Sequence, residues 1–169
     1  MKKVTLGKAQ WPHWQEYRRW INQPAMMRLL DRRKKVSAKD HRLYVSKIGR
    51  DPKMKFFGIF LPDKKFIGIC ALKQIDKTAK KAELYICLSP RASGHGYGLL
   101  AVKALLDYGF DRLKLNRIYL YTPAYNTAAL RCYKKAGFVR EGVLLQDIVR
   151  NGHYYDAVRL CYLRKFRRR

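Results

Sequence analysis

The chain has 169 residues, 48% of them hydrophobic, and its 38 lysines and arginines against 12 aspartates and glutamates give a formal charge of +26. A chain of this length forms one domain, residues 1–169, that buries about two thirds of its unfolded surface, so no disulfide or metal is needed to hold it. Cys70, Cys87, Cys132 and Cys161 are scattered without a C-x-x-C spacing, which argues against a metal cluster or disulfide framework and leaves them as small hydrophobes.

No stretch has the length of a membrane span, and the lysines of the opening MKKVTLGKAQWPHW are not followed by the apolar segment of a secretion signal. A cytoplasmic, reducing setting is expected. The charge predicts attraction to polyanions, a ribosome included, but the cations are spread along the chain. They cluster only at residues 31–35 (DRRKK) and in the tail at 164–169 (RKFRRR), both of which read as solvated surface. Zinc-finger spacing and an RNP-type aromatic motif are lacking, so nucleic-acid binding would rest on charge alone.

Lys2 to Leu6 reads as a short first strand. Trp14, Tyr17, Trp20 and Ile21 recur at three- and four-residue steps and predict a helix over 11–21, closed near Asn22 and Pro24. A second helix starts at a Ser37 cap, with Asp40 three residues on, and stops at Gly49. Residues 55–61 and 65–75 form a hairpin around Pro62-Asp63-Lys64, and 82–88 is a third strand with Ala82, Leu84, Ile86 and Leu88 on one face and Glu83, Tyr85 and Cys87 on the other. Then come a helix over 99–110, a strand over 117–121 and a helix over 126–136 ended by Gly137. Two last strands, 143–150 and 154–163, flank the hairpin turn Asn151-Gly152. The expected fold is α/β, a mixed sheet of six or seven strands flanked by helices, antiparallel in its first half with a strand–helix–strand crossover.

Between Leu88 and Leu99 the segment SPRASGHGYG opens the helix that follows. Glycines at 94, 96 and 98 strip away side chains and permit positive φ, so successive N–H groups can converge on an anion beside the positive end of that helix. A phosphate or pyrophosphate suits such a loop; a turn that merely starts a helix would look much the same. The G-x-G-x-G spacing fits neither the Walker pattern, whose lysine is missing, nor the dinucleotide fingerprint, which opens a parallel unit rather than following an antiparallel meander.

Arg91-Ala-Ser-Gly94-His-Gly96 resembles the R/Q-x-x-G-x-G/A signature of the GNAT superfamily of acetyl-CoA-dependent N-acetyltransferases, and Asn126-Thr-Ala-Ala129-Leu-Arg-Cys-Tyr133-Lys-Lys-Ala-Gly137-Phe138 resembles its second conserved segment. The resemblance implies that Leu88, Arg91, Ser93, Gly94, His95, Gly96, Tyr97 and Gly98 hold coenzyme A, with help from Asn126 and Ala129, and that no metal takes part. It makes Tyr133 the acid that eases thiolate departure, since a phenol can donate a proton or hydrogen bond to the leaving sulfur. On residue chemistry alone the second segment is equally a capped structural helix. A base must also deprotonate the attacking amine, directly or through water, and Glu83, the lone carboxylate of its strand, is the leading candidate by likeness to Rim-type members; pairing with a lysine on the sheet is its plainer role. His41, His95 and His153 are weaker candidates. Backbone N–H groups of residues 87–89 are the expected oxyanion donors.

For the acceptor, Trp20-Ile-Asn22-Gln-Pro24 and Asn151-Gly152-His-Tyr-Tyr-Asp156 resemble segments shared by Rim-type acetyltransferases of ribosomal-protein amino termini and by amino-sugar acetyltransferases. Ser37-Ala-Lys-Asp-His41 is faintly similar to enzymes that acetylate a nucleotide-linked amino sugar. A protein at +26 disfavours a polyamine acceptor. A non-catalytic ribosome- or nucleic-acid-binding module on the same scaffold is the alternative, and the exposed final hairpin is suited to edge pairing in a homodimer.

Overall fold

The structure, a computed structural model, describes residues 2–167. Seven strands form one sheet in the order β1-β2-β3-β4-β5-β7-β6: β1 (Thr5–Gly7), β2 (Lys55–Phe60), β3 (Phe66–Asp76), β4 (Lys81–Leu88), β5 (Arg117–Pro123), β6 (Val139–Arg150) and β7 (His153–Leu163). Every neighbouring pair is antiparallel except β4 with β5. That single parallel pair is bridged by α4 (Tyr97–Asp107), and the crossover gives the mixed α/β architecture the element order implies.

The sheet has a hydrophobic core on each face. Ala82 and Leu84 of β4 pack with Val102, Leu105 and Phe110 beneath α4 and with Tyr133 of α5 (Thr127–Ala136). On the opposite face Cys87 and Tyr85 meet α1 (Trp11–Ile21), α2 (Pro24–Leu29) and α3 (Ala38–Ile48). The α1 stripe forms as its periodicity predicts, with Trp14, Tyr17, Trp20 and Ile21 buried and Trp20 stacked on Phe66 at a ring-centroid distance of 5.3 Å. Ser37 caps α3, its Oγ accepting the Asp40 N–H at 3.0 Å.

Several boundaries differ from the sequence reading, each for a local reason. Pro24 begins a further helix, α2, because proline fits the first helical turn, where its missing N–H has no partner to lose. The helix after the glycine loop starts at Tyr97, and past Asp107 it loosens into a π turn over Tyr108–Arg112. A Cβ on Gly109 in that turn would lie 2.6 Å from Ile118 Cδ1, so the turn rides close to β5 only because the residue is glycine. Strand β6 starts at Val139 because it pairs with Cys161 of β7; its first residues are exposed and carry no alternating signal. Asn151 and Gly152 both have positive φ, 50° and 76°, as the tight hairpin turn requires.

The basic tail is not simply solvated over its described residues. Arg164 donates to Leu115 O at 2.9 Å and to Phe110 O, and Arg167 pairs with Asp107 at 2.9 Å and with Asp111, tying Arg164–Phe166 to the end of α4. Arg168 and Arg169 lie outside the described residues.

Candidate active site

The site begins where the sheet comes apart. β4 and β5 pair over only three positions, Lys81 with Arg117, Ala82 with Ile118 and Glu83 with Tyr119, after which the two strands diverge. Beyond Glu83, β4 remains bonded to β3 on its other edge, and Ser89 N–H donates to Ile67 O at 2.8 Å. Hydrogen bonds alternate along an antiparallel pair, so the N–H groups of Cys87 and Ser89 point at β3 while those of Ile86 and Leu88 point into the opening. Of residues 87–89, therefore, only Leu88 offers a backbone donor to the gap; the other two are committed to the sheet.

At the wide end of the opening lies the glycine loop. Ser89 Oγ accepts the Ala92 N–H at 3.2 Å and Ser93 N–H returns to Ser89 O at 3.2 Å, which folds the chain into a tight turn. The Ser93 hydroxyl is turned inward onto Ser89 O, also at 3.2 Å, while Arg91, Gly94, His95 and Gly96 are exposed. Gly94 and Gly96 have φ of 80° and 85°, and a Cβ on either would meet nothing within 4 Å. The space over them is open. Gly98 differs: its backbone is helical, and a Cβ there would make ordinary contacts with Leu88 Cδ1 at 3.5 Å and Cys132 Sγ at 3.6 Å. Its part is packing against α5 rather than freeing the backbone.

No side chain caps α4, whose first internal bond is the long Leu100 N–H to Gly96 O at 3.5 Å. The N–H groups of Tyr97, Gly98 and Leu99 thus have no intrahelical partner and stand at the positive end of an 11-residue helix. Lys2 reinforces the loop, donating to His95 O at 3.0 Å with its ammonium 5.7 Å from the Tyr97 ring centroid. Open space over two left-handed glycines, three unsatisfied donors and a lysine fit a pyrophosphate, and the β4–β5 gap beside them fits the extended arm of coenzyme A.

Helix α5 is capped by Asn126, whose Oδ1 accepts the Ala129 N–H at 3.2 Å; its Nδ2 remains available as a donor. Ala129 packs against the core beneath α4. One turn on, Tyr133 is 8% exposed and its ring lies 5.7 Å from Phe138. Its hydroxyl makes no hydrogen bond among the described residues. Burial pushes the phenol well above its ordinary value, and the nearby Cys132 and Cys87 add to the effect, so it stays protonated at neutral pH.

Along the acceptor face of β4 run Glu83, Tyr85 and Cys87 at alternate positions. Glu83 pairs with Lys73 across the sheet at 3.1 Å with 17% of its side chain exposed. The Tyr85 hydroxyl shares a 2.6 Å hydrogen bond with Tyr17 of α1. Burial raises both phenols and lifts the Cys87 thiol to about 12, making these groups neutral donors and acceptors rather than anions. At about 3.3 Å per residue, Glu83 sits roughly 17 Å along the strand from Leu88, too far for one side chain to span. The loop, Asn126, Ala129 and Tyr133 thus come together, and Glu83 reaches them only through intermediaries. Of the histidines, His41 is buried on α3 with neither ring nitrogen bonded among the described residues; burial, aided by Arg18 and Arg32, lowers it to about 4.

The profile of the acetyltransferase (GNAT) domain matches residues 3–139. The chain belongs to the GNAT acetyltransferase family. A spermidine N(1)-acetyltransferase of Escherichia coli is 37% identical to it over 94 residues, 56% of this chain and 50% of that protein, so the chain spans about half the length of that curated relative. The acetyltransferase PseH of Campylobacter jejuni is 26% identical over 120 residues, 71% of this chain and 73% of that protein. A structure of Vibrio cholerae spermidine N-acetyltransferase in complex with CoA and spermine superposes with a TM-score of 0.91 at 26% identity, covering 96% of each chain. These likenesses bear out the GNAT fold and family; they do not single out the Rim-type or amino-sugar branch.

Three residues beside the opening were not singled out from the sequence. Lys2 lies far along the chain from the loop it bonds, and no spacing marks it. Tyr17 sat within an ordinary apolar helical stripe. Tyr85 was visible only as a neighbour of Glu83 in the alternation of β4.

Proposed function

We propose that this GNAT protein transfers the acetyl group of acetyl-CoA to a primary amine by direct attack. The single observation that carries the reading is an uncapped helix start, opened by two left-handed glycines, beside the divergence of the parallel pair β4–β5. Bound there, acetyl-CoA supplies an activated thioester and a thiolate leaving group. The chain holds it through the Tyr97, Gly98 and Leu99 N–H groups, Lys2, Arg91 and Asn126. The Leu88 N–H donates to the thioester carbonyl oxygen, where negative charge grows as the amine attacks.

Tyr133 steadies the departing sulfur. Its raised pKa lies above that of an ordinary thiol, so it donates a hydrogen bond and keeps its own proton. The amine must shed a proton, which passes by water and the Tyr85 hydroxyl toward Glu83. Under this scheme Glu83→Gln lowers kcat/KM about tenfold at pH 7 while coenzyme affinity holds, and an unchanged value would leave Glu83 as the structural partner of Lys73 alone.

Two observations bear on the acceptor. The relatives named as spermidine acetyltransferases support a polyamine. The formal charge of +26 opposes it and supports an amine that carries negative charge, such as a nucleotide-linked amino sugar. Thiol release from acetyl-CoA, measured with spermidine, a UDP-linked amino sugar and ribosomal-protein amino-terminal peptides, tests the reaction. Release above background with at least one amine is expected. Salt-sensitive polyanion binding with no coenzyme bound would instead favour a non-catalytic module.

A further inference from the structure

We propose that the cleft between α2, the loop after it and the β6–β7 turn binds a phosphate group carried by the amine acceptor, with Arg32, Arg33 and Arg150 as its ligands. The proposal rests on the acetyltransferase reading above. The cleft has a volume of about 410 Å³ and is lined by Pro24, Met27, Arg32, Arg33, Val149 and Arg150. Three guanidinium groups share it with one nearby carboxylate, Asp31, which lies 3.6 Å from Arg150. Arg150 Nη2 also donates to Met27 O at 2.9 Å and Arg28 O at 3.4 Å, which anchors the hairpin turn to α2.

Two donors in this group have nothing to donate to. The Nε atoms of Arg32 and Arg150 are buried and without a hydrogen-bond partner among the described residues. A buried donor on a cation is costly to leave unpaired, and an oxyanion in the cleft that bonds the outer nitrogens of these guanidinium groups would offset the charge they carry there. Guanidinium forks match phosphate oxygens in pairs, and three of them suit a doubly charged group.

The loop bearing Arg32 and Arg33 is held in place beforehand. Asn22 donates Nδ2 to Val36 O at 2.9 Å and accepts the Val36 N–H at 2.8 Å, and Arg18 donates to the same carbonyl at 3.3 Å. The backbone of the loop is therefore placed before a ligand arrives, and less of its ordering is left for binding to accomplish. The cleft also adjoins the elements of the candidate site. Tyr125, which precedes the α5 cap Asn126, donates its hydroxyl to Arg28 O at 2.8 Å, the same carbonyl that Arg150 approaches at 3.4 Å.

The same arrangement works against a polyamine. The segment 31–35 carries four cations and one carboxylate, and that carboxylate is already beside Arg150. Each ammonium of a polyamine entering here would meet like charge.

The decisive measurement is calorimetric titration of inorganic pyrophosphate into protein saturated with acetyl-CoA, so that the glycine loop is filled. Saturable binding is expected, weakened at least tenfold by Arg32→Gln and by the exposed Arg33→Gln, with acetyl-CoA affinity unchanged in both. Binding that is absent, or equal in both variants and the parent, overturns the proposal. In a parallel turnover assay glucosamine 6-phosphate should exceed glucosamine and spermidine at least tenfold in kcat/KM. Spermidine preferred over both, with no inhibition by pyrophosphate, also overturns it; if no amine in the set turns over, the titration decides. Should the protein fail to bind acetyl-CoA, the acetyltransferase reading falls separately, and the titration is repeated without it. Loss of pyrophosphate binding in Arg32→Gln but not in Gly96→Val then still assigns the cleft.

Discussion

In the proposed function the two sides of the β4–β5 opening recognise their ligands by different means. On the coenzyme side the central donors are main-chain, with Lys2, Arg91 and Asn126 around them: Tyr97, Gly98 and Leu99 present N–H groups that no side chain caps, and the loop exposes them by lacking side chains at 94 and 96. On the acceptor side the groups are side chains from α1, the loop after α2, β4 and the β6–β7 turn, held by Asn22 and Arg150. A backbone site depends on φ angles and open space, so a single added side chain damages it. A site built from long side chains loses one contact at a time. Sensitivity to mutation should therefore be steep on the first side and graded on the second.

The largest expected effect is at Gly96. Gly96→Val places a β-branched side chain at φ 85° and fills the open space above the loop, so acetyl-CoA affinity should fall about a hundredfold or more by calorimetry. Circular dichroism on the same sample checks that the fold survives; near-normal affinity in folded protein would break the comparison. Next is Tyr133→Phe, which removes one hydroxyl without disturbing the ring packing against Phe138. Turnover should fall tenfold or more with coenzyme affinity unchanged, and equal turnover removes Tyr133 from the mechanism.

On the acceptor side, His41 provides a test by pH. It is neutral when buried, and its pKa falls from 6.5 to about 4 on folding. The unfolded chain thus takes up a proton that the folded chain refuses. This group's stability is whole above about 6.5 and is lost as pH falls toward 4, by roughly 2–3 kcal/mol at the lower end. His41→Phe should flatten that part of the urea-unfolding profile between pH 7 and 4, and an unaltered slope would show that His41 is not the group responsible. The smallest effect is at Gly98→Ala. Its backbone is helical and a Cβ finds ordinary contact distances, so acetyl-CoA affinity should change less than about threefold. A loss as large as that of Gly96→Val would mean that all three glycines serve the backbone site alike.

The residues proposed for the coenzyme side could be named from the sequence because they fall in two local segments that resemble the family's motifs. Arg91 to Gly98 is one local segment, and Asn126, Ala129 and Tyr133 share a helix face through i, i+3 and i+4 spacing. Even there, the sequence treated Gly98 like Gly94 and Gly96; only its helical backbone and its contact with Cys132 separate them. The acceptor side was far less readable. Asn22 looked like a helix stop, yet its side chain pins Val36, fourteen residues away. Arg32 looked like part of a solvated run but is half-buried, its N–H donating to Met27 O at 2.8 Å as the chain leaves α2.

The sequence by itself determined most of the element order, the glycine loop and the capped helix that carries Tyr133, since each follows from residue periodicity or spacing within a few turns of chain, and the resemblance of two of these segments to known motifs pointed to the family. Tertiary structure alone decided where β4 and β5 part, that Leu88 rather than Cys87 or Ser89 points its N–H into the gap, that Glu83 is paired with Lys73, and that arginines from residues 32, 33 and 150 meet in one cleft. Those facts depend on strand register and on contacts between residues more than a hundred positions apart, which no local pattern encodes.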